Sequence, residues 1–264
     1  MQIADIGGTR IHYRERGPRG APALVFANSL GTDFRIWDKV VARLGERFRI
    51  VTYDKRGHGL SDAPAAPYVL ADHVGDLAGL LAHLEVTNAT VCGLSVGGMI
   101  AQALAADHPG LVSRLILCDT AHKIGPPENW EKRMAAVREG GIEVLADTVM
   151  GLWFSAAFHA GRADELRGWR HMLVRTPVDG YVGTCAALRD ADLTATSAKL
   201  DIPTLCLCGS DDGATTPDLV RSTADLIPGA RFELIEGAGH LPCIEAPNAV
   251  AGLILAFTAE GADG

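Results

Sequence analysis

The stretch Val91-Cys92-Gly93-Leu94-Ser95-Val96-Gly97-Gly98 constrains this chain more than any other. A short β-forming run enters a G-x-S-x-G pentad and leaves through Met99-Ile100-Ala101-Gln102-Ala103-Leu104-Ala105-Ala106, a good helix former. Such a strand-turn-helix reads as a nucleophile elbow. The central residue is forced into a strained backbone conformation, so the residues two before and two after it must lack side chains. Gly93 and Gly97 meet that demand around Ser95. The turn lifts the serine hydroxyl clear of the sheet and aims the first N–H groups of the helix at the same space, where negative charge can be held.

Strand and helix grammar alternates on both sides of this turn. Residues 2–6 and 10–15 alternate around Gly7-Gly8, a hairpin signature. Ala23 to Ala27 is a continuous apolar run suited to a strand buried on both faces, and it ends at Asn28-Ser29-Leu30-Gly31-Thr32-Asp33. Helical spacing over 36–44 leads to a second buried strand over 48–53. Asp54-Lys55-Arg56-Gly57-His58-Gly59-Leu60-Ser61 follows as a polar, Gly-rich structural loop. An amphipathic helix is expected over 70–84 and a strand over 114–119.

From about Ala121 to Thr196 helix-like segments predominate (130–139, 142–154 and 162–174), with no convincing strand. Strand grammar returns over 203–208 and 231–236, each with a helix after it, 218–226 and 246–258. The pattern predicts an α/β fold with a mostly parallel central sheet covered by helices on both faces. Residues 1–120 and 197–264 would form the core, and 121–196 an inserted helical cap.

A serine hydroxyl is a weak nucleophile near neutral pH and needs a base within hydrogen-bond reach, itself oriented by an acid. His240, in Gly237-Ala238-Gly239-His240 after the last strand, is the better base; His58, between two glycines, is the other candidate. For the acid, the spacing in Gly209-Ser210-Asp211-Asp212-Gly213-Ala214-Thr215 favours Asp212 over its neighbour Asp211. The order Ser, Asp, His is the one expected when the elbow precedes the insertion in an α/β-hydrolase fold. The oxyanion hole should then pair the backbone N–H of Val96 with that of Leu30.

Composition excludes several classes of partner. The net charge of −8 argues against nucleic acid and does not attract an anion from a distance. The first five residues form no signal sequence and no run reaches the length of a membrane span, so a cytoplasmic protein is expected. Cys92, Cys118, Cys185, Cys206, Cys208 and Cys243 contain no C-x-x-C pair and read as free structural thiols. No His-Cys or His-carboxylate cluster has ligand spacing, so no metal is expected. The segment 121–196 holds nine Lys or Arg against ten Asp or Glu, a net of −1, leaving 15 against 22, or −7, for the rest. The cap is therefore the less repulsive wall for an anion.

With these motifs in view, the whole chain resembles the α/β-hydrolase superfamily and, within it, the 3-oxoadipate enol-lactonases of bacterial aromatic-acid catabolism. The similarity lies in the Asn28 to Asp33 loop, where most of the superfamily has a His-Gly pair, and in Asp54 to Ser61. It extends to the cap segments Arg133 to Gly141 and Cys185 to Asp192. Leu241-Pro242-Cys243 departs from the more polar triplet expected after the histidine. The resemblance implies ring opening of a small anionic lactone, 3-oxoadipate enol-lactone, to 3-oxoadipate through an acyl-enzyme on Ser95, without metal or organic cofactor. The substrate carboxylate then needs a cation in the cap. Arg133, one helical turn after Trp130, is the first candidate, with Trp130 walling the ring and Trp153 and Arg189 as alternatives. Another esterase or lactonase with the same triad is an alternative. A perhydrolase or haloperoxidase-like enzyme fits less well, since that group usually carries a His-Gly-aromatic-Pro oxyanion loop. A non-enzymatic scaffold would not need all three triad positions.

Overall fold

The computed structural model describes residues 1–260. The elements follow in chain order as β1 (Gln2–Ile6), β2 (Thr9–Arg16), β3 (Ala23–Ala27), α1 (Asp38–Leu44), β4 (Arg49–Tyr53), α2 (Leu70–His83), β5 (Ala89–Leu94), α3 (Val96–Asp107) and β6 (Val112–Cys118). Six helices come next: α4 (Pro127–Gly140), α5 (Ala146–Trp153), α6 (Ala156–Gly161), α7 (Ala163–Val174), α8 (Val178–Asp190) and α9 (Thr194–Ser197). The chain then returns through β7 (Thr204–Gly209), α10 (Pro217–Leu226), β8 (Arg231–Ile235), α11 (Pro242–Glu245) and α12 (Pro247–Ala259).

The eight strands form one sheet in the order β1-β2-β4-β3-β5-β6-β7-β8. Only the pairings of β2 with β1 and β4 are antiparallel, as the Gly7-Gly8 hairpin requires. Both hairpin glycines have positive φ, 58° and 89°, the conformation a tight two-residue turn needs. From β3 the chain moves to β4 on one side and then crosses to β5 on the other. That reversal opens a crevice beyond the carboxyl ends of β3 and β5, where α/β sheets build their sites. The loop at 28–33 and the elbow at Ser95 therefore meet although 60-odd residues separate them.

The inner strands are apolar because both faces are covered: β3, β4 and β5 are buried almost throughout. Helix α3 is buried from Val96 to Ala105, which explains its lack of a polar face. No helix among the described residues is long and apolar enough to cross a membrane. All six cysteines are free and buried, as their apolar surroundings in the sequence suggested.

Helical spacing located α4, α5 and α7, but α8 was not among the segments it picked out. That helix carries Gly180 and Gly183, which disfavour a helix by about 1 kcal/mol each. Tertiary contact decides here. A Cβ on Gly180 would lie 2.0 Å from the Gly57 carbonyl oxygen, and one on Gly183 would lie 2.6 Å from the Tyr68 ring. The two glycines let the helix press against Gly57 of the 54–61 loop and against the Tyr68 ring.

Candidate active site

Ser95 sits at φ 57° and ψ −121°, off the allowed regions for an ordinary residue, between β5 and α3. The flanking glycines are sterically required. A Cβ on Gly93 would stand 2.2 Å from the Gly97 carbonyl oxygen, and one on Gly97 would stand 2.3 Å from that of Ala27. The turn is held by three bonds on the Ser95 carbonyl, from the Gly98 N–H at 2.8 Å, the Met99 N–H at 3.2 Å and the Thr120 hydroxyl at 2.6 Å. Ser95 is thus strained by packing on all sides, and its side chain faces a cavity of about 360 Å³ that His240 also lines.

His240 follows β8, and its Nδ1 lies 2.9 Å from Asp212 Oδ2. A carboxylate accepts, so Nδ1 carries the proton and Nε2 keeps a free lone pair. Asp212 is 4% exposed, and its carboxylate also accepts from the N–H groups of Ala214 (2.7 Å) and Thr215 (3.0 Å) and from the Thr215 hydroxyl (2.7 Å). Burial pushes this carboxyl up, but the adjoining His240 and the Thr215 donors outweigh it and hold the group below its usual value. Asp211, by contrast, is exposed, and its carboxylate accepts from the Ser210 hydroxyl at 2.9 Å rather than from a histidine. The geometry therefore agrees with the spacing argument for Asp212.

The other candidate base, His58, is engaged elsewhere. It is 0% exposed, its Nε2 accepts from the Gly31 N–H at 2.9 Å, and its Nδ1 lies 3.1 Å from the Arg56 carbonyl. Burial and the neighbouring Lys55 push its pKa well down, so it is a neutral strut under the 28–33 loop. Among the described residues, neither the Leu30 nor the Val96 N–H meets a protein acceptor. Leu30 lines the cavity, and Val96 opens α3 directly behind Ser95.

The inserted helices form the facing wall. Trp130, Arg133 and Trp153 all line the cavity, as expected. The Trp130 indole donates to the Ile124 carbonyl at 2.6 Å, and the Arg133 guanidinium lies 5.2 Å from the Trp130 ring centroid. Arg133 also borders Tyr181, whose buried phenol is raised by desolvation against the opposing pull of the Arg133 charge. Arg189 does not reach the cavity, and its proposed contact with substrate is corrected. Leu188 takes the inward position on α8, and the next residue is rotated about 100° away. There Arg189 pairs with Asp190 at 2.7 Å and Glu131 at 3.7 Å.

Several residues escaped the sequence reading. Lys132, Asn129 and Tyr181 also line the cavity, the first two beside Arg133 on the same helix. Leu241 and Cys243, in the unusual triplet after His240, are buried behind the wall rather than in it. Asp119 is the largest omission. It follows β6 at φ 44°, is fully buried, and accepts the Gly209 N–H on Oδ1 at 2.9 Å. Its Oδ2 has no partner. Burial first, and then the Asp212 charge, push the Asp119 carboxyl well above its ordinary value, which favours its neutral form beside Asp212. Candidate ligand atoms of Asp119, Cys208 and Asp212 lie within 4.8 Å of one another, a cluster that linear spacing could not disclose. The donor set suits a metal poorly. Asp212 is committed to His240 and Thr215, and burial keeps the Cys208 thiol protonated.

The model of the alpha/beta hydrolase family matches residues 24–253. The chain belongs to that family. It is 34% identical to 3-oxoadipate enol-lactonase 2 of Acinetobacter baylyi over 239 residues, covering 90% of this chain and 89% of the relative. Among solved structures it is similar to the enol-lactonase from Burkholderia xenovorans LB400, with a TM-score of 0.95 and 39% identity over 98% of this chain and 100% of the other. It is also similar to a thermophilic esterase from Thermogutta terrifontis, with a TM-score of 0.92 and 27% identity over 98% of this chain and 99% of the other. As a member of this family the chain is a hydrolase in fold, with relatives that include lactonases and esterases.

Proposed function

We propose that this hydrolase opens 3-oxoadipate enol-lactone to 3-oxoadipate, with Ser95, His240 and Asp212 as its triad. The observation that carries the substrate class is the charge of the cavity. Lys132 and Arg133 line it and no carboxylate does, in a chain of net charge −8. A site for a neutral ester has no need of that local inversion, whereas a lactone bearing an acetate arm does. The named enol-lactonase relatives support the same reading.

Ser95 Oγ attacks the ring carbonyl and yields its proton to His240 Nε2. The tetrahedral oxyanion lies between the Leu30 and Val96 N–H groups, which need no reorganisation to receive it. Collapse breaks the ring C–O bond, and the departing enolate takes the proton from the His240 imidazolium to become a ketone, leaving His240 neutral again. Water, deprotonated by the same histidine, then attacks the acyl-enzyme, releasing the acid and restoring Ser95. Asp212 keeps His240 in the required tautomer and stabilises the imidazolium. Arg133 holds the carboxylate arm, and Trp130 and Trp153 supply apolar wall.

The test is loss of the enol-lactone's ultraviolet absorbance with purified protein, beside Ser95→Ala and a neutral aryl ester. Rapid Ser95-dependent loss far exceeding ester cleavage is expected. Ester cleavage without lactone turnover would keep the serine hydrolase and discard the substrate.

A further inference from the structure

Lys55 follows β4 and is 1% exposed, among the least accessible side chains in the molecule. Burial lowers the Lys55 pKa to about 7 against the opposing pull of Asp54 and Asp33, so the amine needs strong compensation there. Here its hydrogen bonds go to two main-chain carbonyls of the 28–33 loop, those of Ser29 and, at 3.5 Å, Thr32. The same Ser29 oxygen accepts from the Thr32 hydroxyl at 2.8 Å and from the Thr32 N–H at 3.3 Å. Three donors, one on a buried lysine, converge on a single carbonyl.

A trans peptide is planar, with its C=O and N–H pointing in opposite directions. Gripping the Ser29 oxygen from behind therefore aims the N–H of the same peptide, that of Leu30, the opposite way. Ser29 and Leu30 both line the cavity with Ser95. The next N–H, that of Gly31, is turned back onto His58 Nε2. The lysine and the histidine of one loop, Asp54 to Ser61, thus hold successive peptides of another in opposite senses. Gly31 leaves the loop no slack: it has φ 72°, and a Cβ there would lie 2.5 Å from Leu173 Cδ1. Hydrogen bonds to a carbonyl also polarise its amide and make the N–H a stronger donor, most of all when Lys55 is protonated.

We propose that Lys55 is a positioning residue of the oxyanion hole, fixing and polarising the Ser29–Leu30 peptide so that the Leu30 N–H meets the charge formed when Ser95 attacks. The proposal rests on the serine-hydrolase reading but not on the lactone, because any acyl substrate passes through the same oxyanion. Lys55 touches neither substrate nor Ser95. Its action is confined to the transition state, which separates it from a lysine that only stabilises the fold.

The experiment compares Lys55→Met, Lys55→Gln, Lys55→Arg and Thr32→Val with the parent. The readouts are aryl acetate hydrolysis, inhibition by phenylboronic acid, which forms a tetrahedral adduct on an active serine, and the melting temperature. Losing a direct oxyanion donor costs about 10²–10³ in turnover, so weakening one from behind should cost Lys55→Met about tenfold in kcat with KM within about twofold. Boronate affinity should fall in parallel. Lys55→Arg should recover part of both, and Thr32→Val should show a smaller loss of the same kind. Lys55→Gln, with a neutral donor, covers the case in which the methionine variant does not fold. Folded Lys55 variants that keep parental kcat and boronate affinity, or that lose only melting temperature or KM, would overturn the proposal. Ser95→Ala separates the two levels. If it is inactive while the Lys55 variants are unimpaired, only the role of Lys55 falls; if it retains full activity, the serine-hydrolase reading falls and takes this one with it.

Discussion

The two walls of the cavity are held by different kinds of interaction. On the core side, each group that would do chemistry is saturated from behind: Asp212 accepts four bonds, the Ser29 carbonyl three, and His58 closes on Gly31. On the side of the inserted helices, Arg133 rests against Trp130 at 5.2 Å, and many of the ion pairs are exposed, such as Arg170 with Glu143 and Asp147. Exposed pairs of that kind contribute little to stability. The comparison teaches a division of labour. Under the proposed function, backbone and buried polar networks would set reactivity, where position must be closely kept, and replaceable side chains would set which acyl group is admitted.

The sharpest way to break this division is to attack the core side first. Ser95→Ala should lower kcat on the order of 10⁴-fold or more for lactone and aryl ester alike, read by steady-state kinetics. Asp212→Asn should cost about 10³–10⁴, because the amide favours the wrong histidine tautomer. Asp119→Asn should leave kcat nearly unchanged, since burial and Asp212 favour the neutral acid and an amide reproduces its shape. A large loss there would mean that Asp119 carries charge during turnover.

On the other wall the expected effects are smaller and selective. A charge-assisted hydrogen bond is worth about 1.5–3 kcal/mol, so Arg133→Ala should raise KM for the anionic lactone about tenfold or more while leaving the neutral aryl ester alone. Equal losses on both substrates would show that Arg133 shapes the wall rather than grips a carboxylate.

His73 lies where the walls meet, on α2, its Nε2 3.4 Å from the Thr184 hydroxyl of α8. Burial lowers its pKa from 6.5 to about 3. Between those values the unfolded chain binds a proton that the native state does not, so stability rises with pH across the window and falls on acidification below about 6.5. His73→Phe, which keeps the edge contact with Tyr68, should reduce the difference between urea midpoints at pH 7 and pH 5. The smallest effect belongs to Arg189→Ala. Turned outward onto Asp190 and Glu131, it should leave KM for the lactone unchanged and stability within about 0.5 kcal/mol.

Much of the site was legible because it is local. G-x-S-x-G encodes its own strained turn, and Asp212 and His240 stand at the ends of predictable strands. The elements missed or misplaced depend on contacts between distant segments. Helix α8 carries glycines whose place is explained only by close approach to the 54–61 loop and Tyr68, and Arg133 and Arg189 look alike as cap arginines until the helix axis is placed.

The sequence by itself determined the order of the strands, most of the helices between them, the elbow, and the candidates for nucleophile, base and acid, because each is written in a run of a few residues with its own steric or periodic rule. Only the tertiary structure decided that Asp119 stands beside Asp212, that Lys55 lies behind the Ser29–Leu30 peptide, and that Lys132 and Arg133 face a cavity free of carboxylates among its lining residues. Those relations join residues as much as 93 positions apart, from Asp119 to Asp212. They follow from how the sheet reverses direction at β3 and from the rotation of each helix about its axis, neither of which is carried by any single stretch of chain.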